Sequence, residues 1–273
     1  MTDEEDRTEG HGRRKSGVQQ SSVQVLDRSL ALLGRIAERD GSTLSGLAAQ
    51  TGMAPSTVHR LLTSLAEHRM VTSDAETGVW TVGVKAFEIG NAFRRGRKLE
   101  IVARPFLKAL SEETGETANI GIEDEGEIVF VAQVESHAPI RAFFRPGRRG
   151  PIHASGIGKA ILSTWADAAV ARRMSGRLTV FTEKTHGGTS SLLSDLQSIR
   201  SRGYAIDDEE HTAGMRCIAA PVYEEHGETL AGLSVSGPTV RLCDARIEEL
   251  GQLVRSSADA LTAALGGRRP EDF

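Results

Sequence analysis

Residues able to do chemistry fall into three short runs of this sequence. The first, Ser56-Thr-Val-His-Arg60 with Thr63 beyond it, offers hydroxyls, an imidazole and a guanidinium, and no acid before Glu67. A row of donors of this kind suits phosphates and base edges. The second run, His153-Ala-Ser-Gly-Ile-Gly-Lys159, invites a phosphate-loop reading, which fails twice. The earlier glycine would have to stand at His153, and Ala160 replaces the hydroxyl that would hold magnesium. The third, Gly232-Leu-Ser-Val-Ser236, would be a nucleophile elbow only with glycine in fifth place. Strand alternation instead puts Ser234 and Ser236 on one face and Leu233 and Val235 on the other. Two hydroxyls side by side on an apolar element need partners, so the run reads as one wall of a small binding site. Cys217 opens an apolar stretch, where a packed thiol is commoner than a nucleophile. His211 follows Glu209 and Glu210 without a second histidine at ligand spacing, so a metal site is unsupported. The rival from another class is a small-molecule hydrolase using Cys217 or Ser234, with a helical module attached.

The elements that must hold these runs belong to two domains, the expectation for 273 residues with 39% hydrophobic and 26% charged residues. Two cysteines make neither a disulfide framework nor a four-thiolate zinc site. No run approaches the roughly 20 apolar residues of a membrane span, and the start is acidic and polar, so a cytoplasmic protein is expected. The net charge of -4 conceals an uneven spread, since residues 11–98 carry 13 bases and 7 acids whereas 99–273 carry 19 bases and 25 acids. A basic segment beside an acidic remainder is the footprint of a polyanion-binding module joined to a domain with another task.

Residues 1–20 are polar and read as a disordered tail. From Val23 the apolar residues Val25, Leu26, Leu30, Leu32, Leu33 and Ile36 recur at helical steps, with Arg28 on the outward side. Asp40-Gly41 ends that helix. A short second helix stops at Thr51-Gly52, and a third starts at Pro55, which suits a first turn. Val58, Leu61, Leu62 and Leu65 form its stripe and turn the donor row outward. Residues 70–82 then alternate around Gly78 as a hairpin. Two helices across a glycine turn, followed by a hairpin, make a winged helix-turn-helix over residues 21–83, with Arg28, Ser56, Thr57, His59, Arg60 and Thr63 facing DNA. A helical hairpin packed for stability alone is the plainer alternative.

Residues 84–98 read as a linker helix ending in the basic cluster Arg94, Arg95, Arg97 and Lys98. Over residues 99–266 a helix to Thr114 precedes strand-like runs at 117–123, 127–134 and 139–144. Helical patterns cover 156–174 and 190–202. Strands follow near 204–207, 217–223 and 229–236, and a helix closes the domain. This mixture is an α+β antiparallel sheet with packed helices.

The runs Ser22–Leu30, Gly52–Leu62 and Thr81–Gly83 resemble the DNA-binding domain of IclR-family transcription regulators. Independently, Pro151–Leu162, Arg202–Glu210, Cys217–Val222 and Leu233–Pro238 resemble blocks of that family's effector domain, in family order. Residues 153–159 and 209–211 are most similar to the allantoin- and glyoxylate-responsive regulators. The resemblance implies a GAF/PAS-like sensor fold, no catalysis, and dimers pairing into tetramers on a palindromic operator in double-stranded DNA. It carries Asp207, Cys217, Ser234 and Ser236, with the backbone N–H groups of Gly156 and Ile157, onto an effector pocket. Met215, Phe143 and Ile152 are expected as its apolar wall. A helix N-terminus suits a carboxylate, whereas ionised Asp207 would repel one unless it is protonated or the ligand donates a hydrogen bond. Hydrated glyoxylate can donate, so the expected effector is a small carboxylate, glyoxylate first, with pyruvate or an aromatic acid as alternatives. No cofactor and no metal are expected.

Overall fold

In the computed structural model the described residues are 16–96, 99–176 and 178–270. The chain divides into two units, Met1–Gly96 and Arg97–Phe273.

The N-terminal unit runs α1 (Ser16–Glu38), β1 (Ser42–Thr43), α2 (Leu44–Thr51), α3 (Pro55–Glu67), β2 (Val71–Ser73), β3 (Val79–Val82) and α4 (Val84–Gly96). Asp40 and Gly41, both with positive φ, turn the chain out of α1. Thr43 caps α2 by accepting the Gly46 N–H at 3.2 Å, and Gly52 closes it in the left-handed conformation. Pro55 stands in the first turn of α3, where its missing N–H leaves no intrahelical bond unmade. Leu32, Ile36, Leu47, Val58, Leu62 and Val71 form the core. The wing holds a strand that the sequence pattern did not reveal, because β1 is too short to show alternation. It pairs with β3 and gives the order β1-β3-β2.

Two expectations for this unit change. Helix α1 begins at Ser16, inside the expected tail, while residues 1–15 lie outside the described residues. The apolar stripe of α1 is covered only towards its C-terminal end. Leu32 and Ile36 are buried, but Val25, Leu26 and Leu30 are exposed, since among the described residues no element of this unit lies over them. The linker helix is observed as α4, also with exposed apolar residues, Val84, Phe87 and Ile89. The side chains of Arg94, Arg95, Arg97 and Lys98 lie outside the described residues.

The C-terminal unit runs α5 (Leu99–Thr114), β4 (Thr117–Asp124), β5 (Glu127–Val134), β6 (Arg149–Pro151), α6 (Gly156–Ser163), α7 (Asp167–Arg173), α8 (Thr189–Arg202), β7 (Ala205–Asp208), β8 (Met215–Tyr223), β9 (Thr229–Pro238) and α9 (Ile247–Ala264). Its six strands form one antiparallel sheet in the order β6-β5-β4-β9-β8-β7. One face carries Ile120, Ile218, Leu233 and Val235 against α5 and α9. The other carries Ala205 and Ala219 against Ile157, Ile161 and Leu196 of α6 and α8. Strand alternation thus feeds two separate cores, as in layered α+β domains.

The strand expected at 139–144 is not formed. Pro139 and Pro146 lack ladder donors, and the segment is pinned as a loop. Ala142 O accepts from Thr117 Oγ1 at 2.8 Å, and the Phe144 N–H donates to Gln133 Oε1 at 2.7 Å. The edge strand is β6 instead. The helix expected over 156–174 breaks into α6 and α7 at Thr164, whose hydroxyl returns to Ile161 O at 2.7 Å and also meets Thr229 Oγ1.

Candidate functional site

Strand register assembles the site. Asp207 lies opposite Cys217, Cys217 opposite Ser236, and Ser236 opposite Thr117. Two residues along, Ala219, Ser234, Asn119 and Gln133 form the parallel row. Directly paired residues share a face, so one polar band crosses five strands beneath α6. Above it, the Ser155 hydroxyl caps α6 by accepting the Gly158 N–H at 3.2 Å. Gly156 allows the approach: a Cβ there would stand 2.7 Å from Cys217 Sγ. A Cβ at Gly158 would fall 1.9 Å from Ile152 O, so the chain can pass beneath the helix only at glycine.

Between band and helix is a cavity of about 30 Å³, lined by Gly156, Ile157, Asp207, Cys217 and Ser236 from the expected set. Ser155, Phe130, Phe144, Arg148 and His211 also line it and were not anticipated. Four expected residues lie elsewhere. Ser234 is fully buried behind the lining, and its hydroxyl has no partner among the described residues. Ile152 packs into the core under α6. Met215 is at the end of β8, opposite Pro238. Phe143 is 47% exposed, while its neighbour Phe144 turns inward and stacks on Phe130 with ring centroids 4.5 Å apart. The Gln133 bond to the Phe144 backbone sets which phenyl points in, a constraint that strand alternation could not supply.

Electrostatics divide the cavity. Asp207 is buried and accepts the Glu210 N–H at 2.8 Å. Burial, reinforced by the Glu210 carboxylate, lifts its pKa from 3.8 to about 7. Burial and the nearby Asp207 charge push the Cys217 thiol up to about 11, so it stays protonated at neutral pH and is a poor nucleophile. His211 packs edge-on against Phe181 at 5.0 Å, and burial, aided by the Arg148 charge, lowers its pKa. Arg148 is exposed at the rim and has no acidic partner among the described residues.

Behind the cavity, the fully buried Lys159 joins Asp195 of α8 at 2.6 Å and also Glu210. His186 Nε2 adds to this group, 3.4 Å from Asp195 and 3.7 Å from Glu210. Burial opposes the charge of Asp195, but bonds from His186 and Lys159 hold its pKa well below the usual range. Among the described residues His186, Asp195 and Glu210 could together ligate a cation. The Lys159 ammonium already bridges Asp195 and Glu210 and supplies the positive charge there.

In the N-terminal unit, Ser56, His59, Arg60 and Thr63 are exposed along α3 and Thr57 is half-buried. The opposite face buries Val58, Leu61 and Leu62. Arg28 is exposed on α1.

Residues 94–263 match the family described as bacterial transcriptional regulator IclR C-terminal, and residues 25–75 match the IclR helix-turn-helix domain. The chain belongs to the IclR family. Two similar proteins cover nearly its whole length. The HTH-type transcriptional regulator BhcR of Paracoccus denitrificans is 46% identical over 264 residues, 96% of this chain and 93% of that protein. The transcriptional repressor IclR of Escherichia coli is 40% identical over 251 residues, 90% of this chain and 92% of the repressor. Among solved structures, an IclR homologue from Microbacterium hydrocarbonoxydans, complexed with 4-hydroxybenzoate, superposes with a TM-score of 0.78. At 21% identity, with 88% of this chain and 98% of that one covered, that likeness concerns the fold. This IclR-family chain is a DNA-binding transcription regulator with a C-terminal effector domain, not an enzyme. Among the described residues no helix is long and apolar enough to cross a membrane.

Proposed function

We propose that this regulator senses a small carboxylate, glyoxylate first, in the cavity under α6, and that α3 reads the operator. The observation that carries the reading is the cavity itself. It sets the start of α6 against the Ser236 hydroxyl and the Arg148 guanidinium, and the Microbacterium homologue complexed with 4-hydroxybenzoate makes an aromatic acid the competing effector. Its lining suits a carboxylate: the Gly156 and Ile157 end of a helix, the Ser236 hydroxyl and the rim guanidinium of Arg148. Recognition through Arg28, Ser56, Thr57, His59, Arg60 and Thr63 is supported by the outward donor row on α3 and by Pro55 fixing its first turn.

The working unit we infer is a homodimer or a dimer of dimers on a palindromic operator in double-stranded DNA. One recognition helix reads too few bases, and the exposed apolar rows on α1 and α4 supply contact surface for a second copy. Calorimetry against glyoxylate, pyruvate and 4-hydroxybenzoate tests the effector, with gel shifts alongside. Ser234→Ala with Ser236→Ala is expected to abolish the glyoxylate response and leave DNA binding intact. Arg60→Ala is expected to weaken operator binding without altering effector affinity. A double-serine variant that still responds, or an Arg60→Ala protein with undiminished DNA affinity, refutes the corresponding half.

A further inference from the structure

Among the described residues Asp207 is the one carboxylate lining the cavity, and it is buried there. An anionic ligand seated on the N-terminus of α6 therefore arrives beside a second buried carboxylate. Two like charges in one desolvated site do not both stay ionised. We propose that a carboxylate effector binds together with about one proton, taken from solvent by the Asp207 carboxylate, and that Glu210 and Lys159, which do not line the cavity, govern this uptake. The proposal rests on the effector reading above.

The geometry supports it from several sides. Asp207 accepts the backbone N–H groups of Glu210 and His211, but no arginine or lysine pairs with it among the described residues. Glu210, three residues on, is buried with one carboxylate oxygen held by Lys159 and the other without a hydrogen-bond partner. The Glu210 carboxylate is thus a like-charged neighbour of Asp207, with the Lys159 ammonium and the His186 imidazole on its far side. The other charged or titratable groups facing Asp207 are His211 in its own loop, Cys217 on β8, and Arg148 and Arg149 beside β6. Cys217 is a neutral thiol at neutral pH, and His211 is biased towards its neutral form. Arg149 is engaged by Asp124 and Glu127, and Arg148 faces solvent, where its charge is screened. No group in the cavity wall neutralises Asp207 as directly as a proton does, and the lifted pKa of Asp207 agrees with that. A protonated Asp207 becomes a donor to the incoming carboxylate in place of a repelling charge. Lys159 and Glu210 are positioning residues here, since they act through Asp207 without touching the ligand.

Titration calorimetry of the full chain with glyoxylate and with pyruvate, in two buffers of different ionisation enthalpy, measures the protons taken up. Uptake of close to one proton is expected at pH 8.5, falling towards none at pH 6, and affinity should drop up to tenfold per pH unit above about 7. Asp207→Asn, which mimics the protonated acid, should still bind glyoxylate, with no proton uptake and a flat pH profile. Glu210→Gln should move the midpoint of the profile to lower pH, a shift that a purely structural role would not produce. Infrared difference spectra of the unmodified protein provide a check independent of variant folding, because a carboxylic-acid band should appear when ligand is added at pH 8.5. Binding without proton uptake, or a folded Asp207→Asn protein that fails to bind at every pH, overturns the inference and leaves the effector reading standing. Absence of binding by either acid at any pH removes the effector reading and the inference with it.

Discussion

Replacing Gly156 by alanine tests the idea that the mouth of α6 is built around one missing methyl group. The new Cβ would meet Cys217 Sγ at 2.7 Å, Cys217 O at 3.2 Å and Cys217 Cβ at 3.3 Å. The thiol is short and packed, so relief requires the start of the helix to move. Overpacking of this kind costs about 1–3 kcal/mol, while alanine recovers up to about 1 kcal/mol of helix preference. A net loss of about 1–2 kcal/mol is expected, roughly 2–8 °C in the melting temperature of a unit this size. Trp165 reports on the C-terminal unit once the other tryptophan is removed as Trp80→Phe, so urea melts followed by its fluorescence read the relevant transition. Cys217→Ala in the same background deletes the closest clash. The double variant should recover about 1 kcal/mol relative to the sum of the single costs. Because the new methyl group enters the lining beside Cys217, affinity for the proposed effector, glyoxylate, should also fall, on the order of tenfold or more. Strictly additive costs in the double-mutant cycle would refute the close-packing argument, whatever the size of the single effects.

Lys159→Met leaves Glu210 and Asp195 without the ammonium that joins them, and should cost about 3–5 kcal/mol in urea melts of the C-terminal unit. Adding Glu210→Gln should restore part of that loss, and a cost below about 1 kcal/mol for Lys159→Met alone contradicts the buried-pair account. Asp207 has a folded pKa near 7 against 3.8, so the folded state holds more protons and the group lowers stability as pH rises from about 4 to 7. The full effect is roughly 4 kcal/mol, and Asp207→Asn should flatten stability over that window; an unchanged slope argues against the shift. Thr43→Ala removes the cap on α2 and should cost about 1 kcal/mol in the N-terminal unit, read through Trp80 fluorescence. No change in that transition would mean that the Thr43 hydroxyl contributes little.

Local order was largely readable in the chain. Pro55, Gly52 and the stripe of Val58, Leu61 and Leu62 determine α3 because they act within a few residues, through backbone geometry and helical period. Alternation in β9 likewise determines that Ser234 and Ser236 share a face apart from Leu233 and Val235. Tertiary structure alone decided which of those hydroxyls meets the cavity, since Ser236 lines it while Ser234 is sealed behind. It also turned Phe144 inward in place of Phe143, through the bond from Gln133 across the sheet. Arg148 and His211 reach the site from loops whose paths depend on contacts distant in sequence. The same holds for Asp207: its residue type was plain from the sequence, but its proton affinity comes from burial and from Glu210, and neither exists until the chain has folded.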